Sequence, residues 1–170
     1  AGTVTIVNTN GAGVTLGNDA TVFHFTINSG AIFHLNGKNL RIKGNFTNSA
    51  AAANTGLNAS VANSKLTAIG VVQQVWAFGN QTFSSVITRP DLDVYNSAPW
   101  VTGNSGAIYN NSIAYVKNVT VYPNSYLYPY NGGASNFLFV SGNIVNNGII
   151  HTDWTLTTDV IVLDGTTQQT

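Results

Sequence analysis

The sequence predicts an all-β protein, and we favour a right-handed parallel β-helix, that is, a solenoid-like stack of strands. Three observations support this fold class. Asn, Thr and Gly account for 23, 20 and 17 of the 170 residues, a composition that favours strands and turns over helices. Short runs alternate apolar and polar residues with a period of two. Clusters of Asn and Gly separate these runs. A jelly-roll or β-sandwich with donor-strand exchange has the same local periodicity and is the alternative fold.

Four runs near the start of the chain are predicted to be strands: residues 3–7, 21–27, 31–35 and 40–46. In the second run, Phe23, Phe25 and Ile27 are expected to share one face. The fourth run is likewise treated as a single strand. The pair Asn36-Gly37 marks a tight turn between the third and fourth runs, either in a hairpin or at a solenoid corner.

The rest of the chain is predicted to consist of a loop followed by more strands. Residues 48–64 are small and polar, and we expect a loop there with at most one helical turn. Pro90 marks a break, because proline cannot donate a hydrogen bond to a central ladder. The further predicted strands are residues 65–75, 75–83, 92–95, 107–109, 113–121, 125–128, 137–144, 149–154 and 160–163.

An internal repeat links the two halves of the chain. The segment NLRIKGNFTNS at residues 39–49 aligns with FLFVSGNIVNN at residues 137–147. The matched positions are Leu40, Gly44, Asn45 and Asn48 with Leu138, Gly142, Asn143 and Asn146. We interpret the chain as a single all-β domain, residues 1–170, with two repeats of about 85 residues at approximately 1–86 and 87–170.

The composition excludes several classes of function. Charged residues make up 7% of the chain, and six Lys and Arg balance six Asp. Such a chain cannot neutralise a run of phosphates, so nucleic acid is not an expected partner. The sequence contains no Cys, which excludes a disulfide framework and thiol catalysis. No apolar run is long enough for a membrane span. Few oxidisable residues favour an extracellular or cell-surface location.

The point at which the second repeat stops predicts how copies of the chain contact each other. The second repeat stops where a strand like that of residues 3–7 would follow, so one copy is expected to lead into the next. Head-to-tail contacts of this kind give an open filament. The predicted subunit interface consists of Thr3, Val4, Thr5, Ile6 and Val7 at one end and Val160, Ile161, Val162 and Leu163 at the other.

The repeated motif also carries a resemblance to known families. The pattern hydrophobic–x–hydrophobic–x–Gly-Asn–hydrophobic–x–Asn, preceded by SGAIFHLNGKNL, resembles repeat units of secreted bacterial adhesins and autotransporter-like β-solenoids. That resemblance implies rungs of a parallel β-helix, with departures at the Ala-rich segment and at residues 122–130. The chain also resembles β-rich subunits of archaeal and bacterial surface filaments, which implies that residues 3–7 act as a donor strand for the next subunit.

Candidate chemical sites are few. Asp91 and Asp93 are two residues apart on a predicted strand, so their carboxylates share a face. This arrangement fits an acid–base pair, a calcium site or simply a polar edge. The remaining acidic residues that alternate with apolar ones, Asp153, Asp159 and Asp164, fit a solvated face.

The three histidines fit either a transition-metal site or exposed strand positions. They are His24, His34 and His151. No motif of nucleophilic catalysis or phosphate binding is present. We therefore predict no catalytic residues, no metal, no cofactor and no enzyme activity.

The aromatic residues fit three roles: core packing, subunit contacts and a platform for sugars. Between the last two we favour subunit contacts, because aromatic residues are enriched at interfaces. The residues concerned are Trp76, Trp100, Trp154, Tyr122, Tyr126, Tyr128 and Tyr130.

Five N-glycosylation sequons occur, at Asn45, Asn58, Asn80, Asn110 and Asn118. Asn58 lies in the predicted loop and is the best candidate for modification. Asn45 belongs to the repeated Gly-Asn pair and also fits a stacked turn residue.

Taken together, these observations predict a secreted structural subunit of an extracellular filament that polymerises by edge-strand pairing. Its partner is then another copy of itself. The alternative is an adhesin or carbohydrate-binding module of a larger cell-surface protein, with surface glycans as partners.

Overall fold

The structure, a computed structural model, describes residues 2–49, 55–79, 89–98, 108–110, 113–128, 136–151 and 159–170. These ranges contain β-strands and no helix, hence no helix that could cross a membrane. The strands are β1 (Val4–Ile6), β2 (Val14–Thr15), β3 (Ala20–Val22), β4 (Phe25–Ile27), β5 (Ile32–His34), β6 (Asn39–Ile42), β7 (Phe46–Asn48), β8 (Gly56–Asn58), β9 (Lys65–Gly70), β10 (Gln74–Ala77), β11 (Asp91–Asn96), β12 (Ile108–Asn110), β13 (Ala114–Val116), β14 (Val119–Val121), β15 (Tyr126–Tyr128), β16 (Asn136–Val140), β17 (Ile144–Asn146), β18 (Ile149–Ile150) and β19 (Asp159–Leu163).

All strand pairs in the described ranges are parallel. Parallel neighbours need a crossover between them, so the chain coils instead of reversing through hairpins. This confirms the predicted β-solenoid and excludes the jelly-roll or sandwich alternative for these ranges.

Three faces recur along the coil. The first sheet has the strand order β1-β4-β7-β10-β12-β15-β18, and the second sheet has the order β3-β6-β9-β11-β14-β17. Two three-stranded sheets, β2-β5-β8 and β13-β16-β19, form the third face. Each strand of the third face follows a strand of the first sheet in the chain. The two ends of the coil are therefore the outermost strands of each face.

Apolar side chains form columns inside the coil. Phe25, Phe46 and Trp76 are in register on neighbouring strands of the first sheet and are all buried. The column of the second sheet consists of Leu40, Leu66, Leu92, Val119 and Ile144. A shift of one residue would turn such a column outward. Burial of the columns therefore fixes the register from turn to turn.

Five predicted strands are each broken by a corner, and treating them as single strands is wrong: residues 21–27, 40–46, 65–75, 113–121 and 137–144. Residues 21–27 form β3 and β4, and Phe23 is 41% exposed at the corner between them instead of lying in line with Phe25. Residues 40–46 form β6 and β7 around Gly44. Apolar alternation continues across these two corners and hides the bend. The second of them carries the Gly44-Asn45 pair as a turn signal, whereas the first, at Phe23 and His24, carries neither Gly nor Pro.

The Asn36-Gly37 pair lies at a solenoid corner, not in a hairpin. It joins β5 on the third face to β6 in the second sheet. Both residues are left-handed, with φ of 53° and 70°, which glycine and asparagine tolerate best. A Cβ at position 37 would lie 2.9 Å from the carbonyl oxygen of Ala62 in the next turn. Glycine thus lets two turns approach closely here.

The segment predicted to be a loop, residues 48–64, contains a strand in its described part. β8 pairs with β5 and buries Leu57 beside Phe33. β8 has only three residues and is flanked by small polar ones, so its apolar pattern is too short to predict a strand. The four alanines, residues 50–53, lie outside the described ranges.

Successive turns differ in length. Phe25 and Phe46 are 21 residues apart, whereas Phe46 and Trp76 are 30 apart. The division into two repeats stays a prediction. Its best-matched residues, Gly44-Asn45 and Gly142-Asn143, both lie at corners, after β6 and after β16.

Candidate functional site

The edge of β1 forms one end of the solenoid. β1 is the outermost strand of the first sheet, and Val4 and Ile6 use their backbone groups to bond to residues flanking β4. Parallel strands alternate the direction of their backbone groups, so those of Thr3, Thr5 and Val7 face away from the sheet. Val7 is 64% exposed. This end therefore combines open backbone groups with an apolar side chain.

The opposite end has a similar character. β18 is the outermost strand of the first sheet and β19 that of the third face. Ile149, Val160 and Leu163 are exposed large apolar residues, and Ile161 packs against the core. Both ends of the coil thus present strand edges with apolar side chains.

The predicted interface residues lie at opposite ends but on different faces. Residues 3–7 surround β1 in the first sheet, whereas Val160–Leu163 belong to β19 on the third face. The strand at the far end of the first sheet is β18, and the strand of the third face nearest the chain start is β2. Sequence alternation is the same on every face, so it could not assign the two segments to faces.

A polar column follows the corner between the second and first sheets. Nδ1 of His24 accepts a hydrogen bond from the backbone N–H of Asn45 at 2.8 Å. Oδ1 of Asn45 in turn accepts one from the backbone N–H of Val75 at 3.0 Å. Hydrogen bonding between strands is interrupted at a corner. These side chains accept hydrogen bonds from backbone N–H groups that have no strand partner there. The interpretation of Asn45 as a stacked turn residue agrees with this position.

A second polar column follows the corner between the third face and the second sheet. Oδ1 of Asp91 accepts a hydrogen bond from Nδ2 of Asn118 at 2.8 Å. Oδ1 of Asn118 accepts one from the N–H of Asn143 at 2.9 Å, and Oδ1 of Asn143 accepts one from the N–H of Thr170 at 3.1 Å. The column ties four successive levels together.

The sequons occupy different environments. Asn45 and Asn118 belong to the two polar columns, and Nδ2 of Asn118 is bonded to Asp91. Asn58 is half-buried at the end of β8, and its side-chain Oδ1 accepts a hydrogen bond from the N–H of Ser60 at 3.0 Å. Asn110 ends β12, and Asn80 lies outside the described ranges. The choice of Asn58 as the best candidate for modification stays a prediction.

The two aspartates of the D-x-D pair share one side of β11, as predicted, and each has a partner. Oδ2 of Asp93 lies 2.8 Å from Nζ of Lys65, while Asp91 is held in the second polar column. The hydrogen bond to Asp93 raises the pKa of Lys65. Burial, together with the Asp93 carboxylate, raises the pKa of Tyr122. The pair therefore organises a network of charges and hydroxyls on the sheet surface.

The histidines do not meet in the described part of the chain. His24 belongs to the first polar column, His34 lies in β5 beside Asn58, and the His151 ring is 5.2 Å from that of Tyr128. Among the described residues, no group of three or more His or Asp side chains is placed to hold a metal ion.

The aromatic residues divide between core and surface. Trp76 is fully buried, and its ring centroid lies 5.4 Å from that of Phe46. Tyr126 and Tyr128 are half-buried in β15. Trp100, Trp154 and Tyr130 lie outside the described ranges. Trp76 therefore packs in the core. Of the three tyrosines predicted to share a face, the structure describes Tyr126 and Tyr128.

Sequence reasoning missed an ion pair between distant turns. Both terminal nitrogens of Arg89 donate to the carboxylate of Asp164, at 2.7 and 2.8 Å. The Arg89 side chain is 6% exposed, and its guanidinium lies 5.0 Å from the centre of the Tyr115 ring. The registers place the two partners three levels apart. The expectation that Asp164 belongs to a solvated face is wrong, and no local pattern connects residues 75 positions apart.

Comparisons with protein-family models, with curated proteins and with solved structures find no match to this chain. The β-solenoid fold implied by the resemblance is confirmed by the structure. Its implications for function stay predictions.

Proposed function

We propose that the protein is a structural subunit of an extracellular filament, in which copies stack head to tail through their edge strands. One observation carries the proposal: apolar strand edges lie at both ends of a single coil, at β1 and at β18 and β19. Unpaired strand edges of this kind readily add a strand from another chain. The net charge of zero leaves little repulsion between copies.

The geometry favours a joint that continues the coil from one copy into the next. β18 would pair with β1 of the next copy, since both belong to the first sheet. β19 would pair with β2, since both belong to the third face. This refines the predicted interface: residues 160–163 meet residues 14–15, and residues 3–7 meet residues 149–150.

Two contributions would stabilise this joint. The backbone groups of Thr5 and Ile150 face outward at their respective ends, and each hydrogen bond formed contributes about 1 kcal/mol. Val7 and Ile149 are exposed at these ends, and each Å² of apolar surface that is buried adds roughly 25 cal/mol.

The test is electron microscopy of the purified chain at neutral pH, with two matched variants. Val7→Lys places a charge at the open edge of β1, where charge opposes strand addition. Val71→Lys places the same charge at an equally exposed valine on the side of the coil, 71% exposed against 64% for Val7. We expect long fibres from the wild type and Val71→Lys, and discrete particles from Val7→Lys.

Two results would contradict the proposal. Fibres from Val7→Lys that match those of the wild type would exclude β1 from the joint. Discrete particles from the wild type would exclude self-assembly and favour the adhesin or carbohydrate-binding module.

A further inference from the structure

A shallow groove crosses the outer surface of the second sheet. It consists of two open depressions, of about 310 Å³ and 420 Å³, that share Asp93. Arg41, Lys65, Asp93, Thr120 and Val145 line the groove from five successive strands, β6, β9, β11, β14 and β17. At about 4.8 Å per strand, the groove is roughly 19 Å long and runs along the coil axis. Its shape fits an extended chain molecule.

The charges in the groove balance. Arg41 and Lys65 are matched by Asp91 and Asp93. Lys65 is paired with Asp93 at 2.8 Å, and Asp91 accepts a hydrogen bond from Asn118. A groove of this kind offers no net attraction to a polyanion or a polycation. The charge pattern therefore favours a neutral ligand.

Asp93 is the central polar group of the groove. Its neighbours Leu92 and Val94 point into the core, so its carboxylate lies on the outer side of β11. The side chain is nevertheless only 10% exposed. Oδ2 bonds to Lys65, and Oδ1 accepts no hydrogen bond within the described chain. This oxygen is open to the groove and has spare acceptor capacity, so it can accept a hydrogen bond from a hydroxyl donor.

Tyrosine rings and a hydroxyl complete the surface next to Asp93. Tyr95 and Tyr122 stack with ring centroids 3.6 Å apart and planes 20° apart. Both line the depression that also contains Thr67. Tyrosine offers an apolar ring face together with a polar hydroxyl. This combination suits a ligand that is apolar on its ring faces and rich in hydroxyls at its edges.

We propose that this groove binds a neutral linear oligosaccharide lying along the coil axis. Asp93 accepts hydrogen bonds from sugar hydroxyls, Lys65 and Arg41 donate to sugar oxygens, and the Tyr95–Tyr122 pair packs against a sugar ring. The site lies on the outer side of the second sheet. It reaches β17, the outermost strand of that sheet, but its centre at β9 and β11 lies in the middle of the sheet, away from the ends of the coil.

The test is isothermal titration calorimetry of the full chain with cellohexaose, chitohexaose, maltohexaose and, as the charged comparison, hexagalacturonate. We expect at least one neutral hexasaccharide to bind. Tyr95→Ala and Asp93→Ala should each weaken that binding about tenfold or more, because each removes a direct contact. Tyr126→Ala is the matched control, since Tyr126 lies in β15 of the first sheet, and it should leave affinity unchanged.

Thermal melts of the variants separate loss of contact from loss of fold. Tyr95 is 50% exposed, so Tyr95→Ala should melt close to the wild type and provides a test that does not depend on the Lys65–Asp93 pair. The proposal is overturned if no neutral hexasaccharide binds, if only hexagalacturonate binds, or if Tyr95→Ala binds as the wild type does.

Discussion

Replacement of Gln74 by Leu is expected to destabilise the coil by about 3 kcal/mol. Gln74 is fully buried. Its Nε2 donates to the carbonyl oxygens of Ile42 at 2.9 Å and Gly44 at 2.5 Å, and its Oε1 accepts from Nδ2 of Asn96 at 2.7 Å. Leu has a similar volume but forms none of these bonds. Three hydrogen bonds at about 1 kcal/mol each give the expected loss, since water does not reach the site to replace them.

Gln169 provides a matched control within the same molecule. Its Nε2 donates to the carbonyl oxygens of Val140 and Gly142 at 2.8 and 2.6 Å, and its Oε1 accepts from the N–H of Gly165 at 3.3 Å. Gln169 is only half-buried, so water can take over part of its role. We expect Gln169→Leu to cost about 1 kcal/mol.

Urea denaturation, followed by far-ultraviolet circular dichroism and tryptophan fluorescence, measures the free energy of unfolding of both variants. We expect a clear difference between the two variants in the free energy of unfolding. If Gln74→Leu lies within about 1 kcal/mol of the wild type, or if both variants lose the same free energy, burial does not set the cost of these bonds.

Three further changes test other parts of the structure. Asp164→Asn should lower the free energy of unfolding by about 2–3 kcal/mol in urea, because Arg89 is then buried without a counterion. Raising the pH above about 10 should lower the melting temperature, because the folded chain raises the pKa of both Lys65 and Tyr122. The unfolded chain then releases these protons first, so stability is lost as pH rises through the folded-state values. Gly44→Ala should cost about 2 kcal/mol or more, because the added methyl would lie 2.6 Å from a histidine nitrogen in the preceding turn.

Two of these changes have a control, and each of the three has an outcome that would contradict it. Gly17→Ala should leave stability nearly unchanged, since no atom lies within 4 Å of the added methyl, and an equal loss at both glycines would refute the steric argument. Tyr122→Phe should make the alkaline decrease shallower, and a flat profile in the wild type between about pH 9 and 11 would contradict the pKa directions. An Asp164→Asn variant as stable as the wild type would show that the ion pair contributes nothing.

The inward columns were predictable from the sequence because they depend only on local alternation. In β5 and the residue that follows it, Phe33 and Leu35 alternate with Ile32 and His34, and the structure buries Phe33 and Leu35. Any fold that covers one side of such a strand gives the same pattern. Alternation therefore predicts which residues form the core, whereas the parallel pairing of the strands requires contacts across a whole turn.

The corners were harder to predict because their signals are long-range. His24 bonds to Asn45 one turn later, and Arg89 bonds to Asp164 three levels later. No local rule links residues at such separations when the turns differ in length. The repeated Gly-Asn pair was visible in the sequence, but its role appears only when the next turn supplies the backbone N–H that Asn45 accepts.

The groove was only partly visible in the sequence. Period two places Asp91 and Asp93 on one face, as the structure confirms. Lys65 and Tyr122 come from neighbouring turns, 28 and 29 residues from Asp93 on either side. Their meeting depends on the register of β9, β11 and β14, which the inward columns set.

The ion pair between Arg89 and Asp164 has a mechanical consequence. A pull on the two ends of the coil acts along its axis, which is also the direction of the hydrogen bonds between turns. Tension therefore loads the levels in series, and single turns peel away one after another. The levels between Arg89 and Asp164 are linked by this ion pair and should therefore unfold together. Extension of the coil should need a higher force at those levels than at the others.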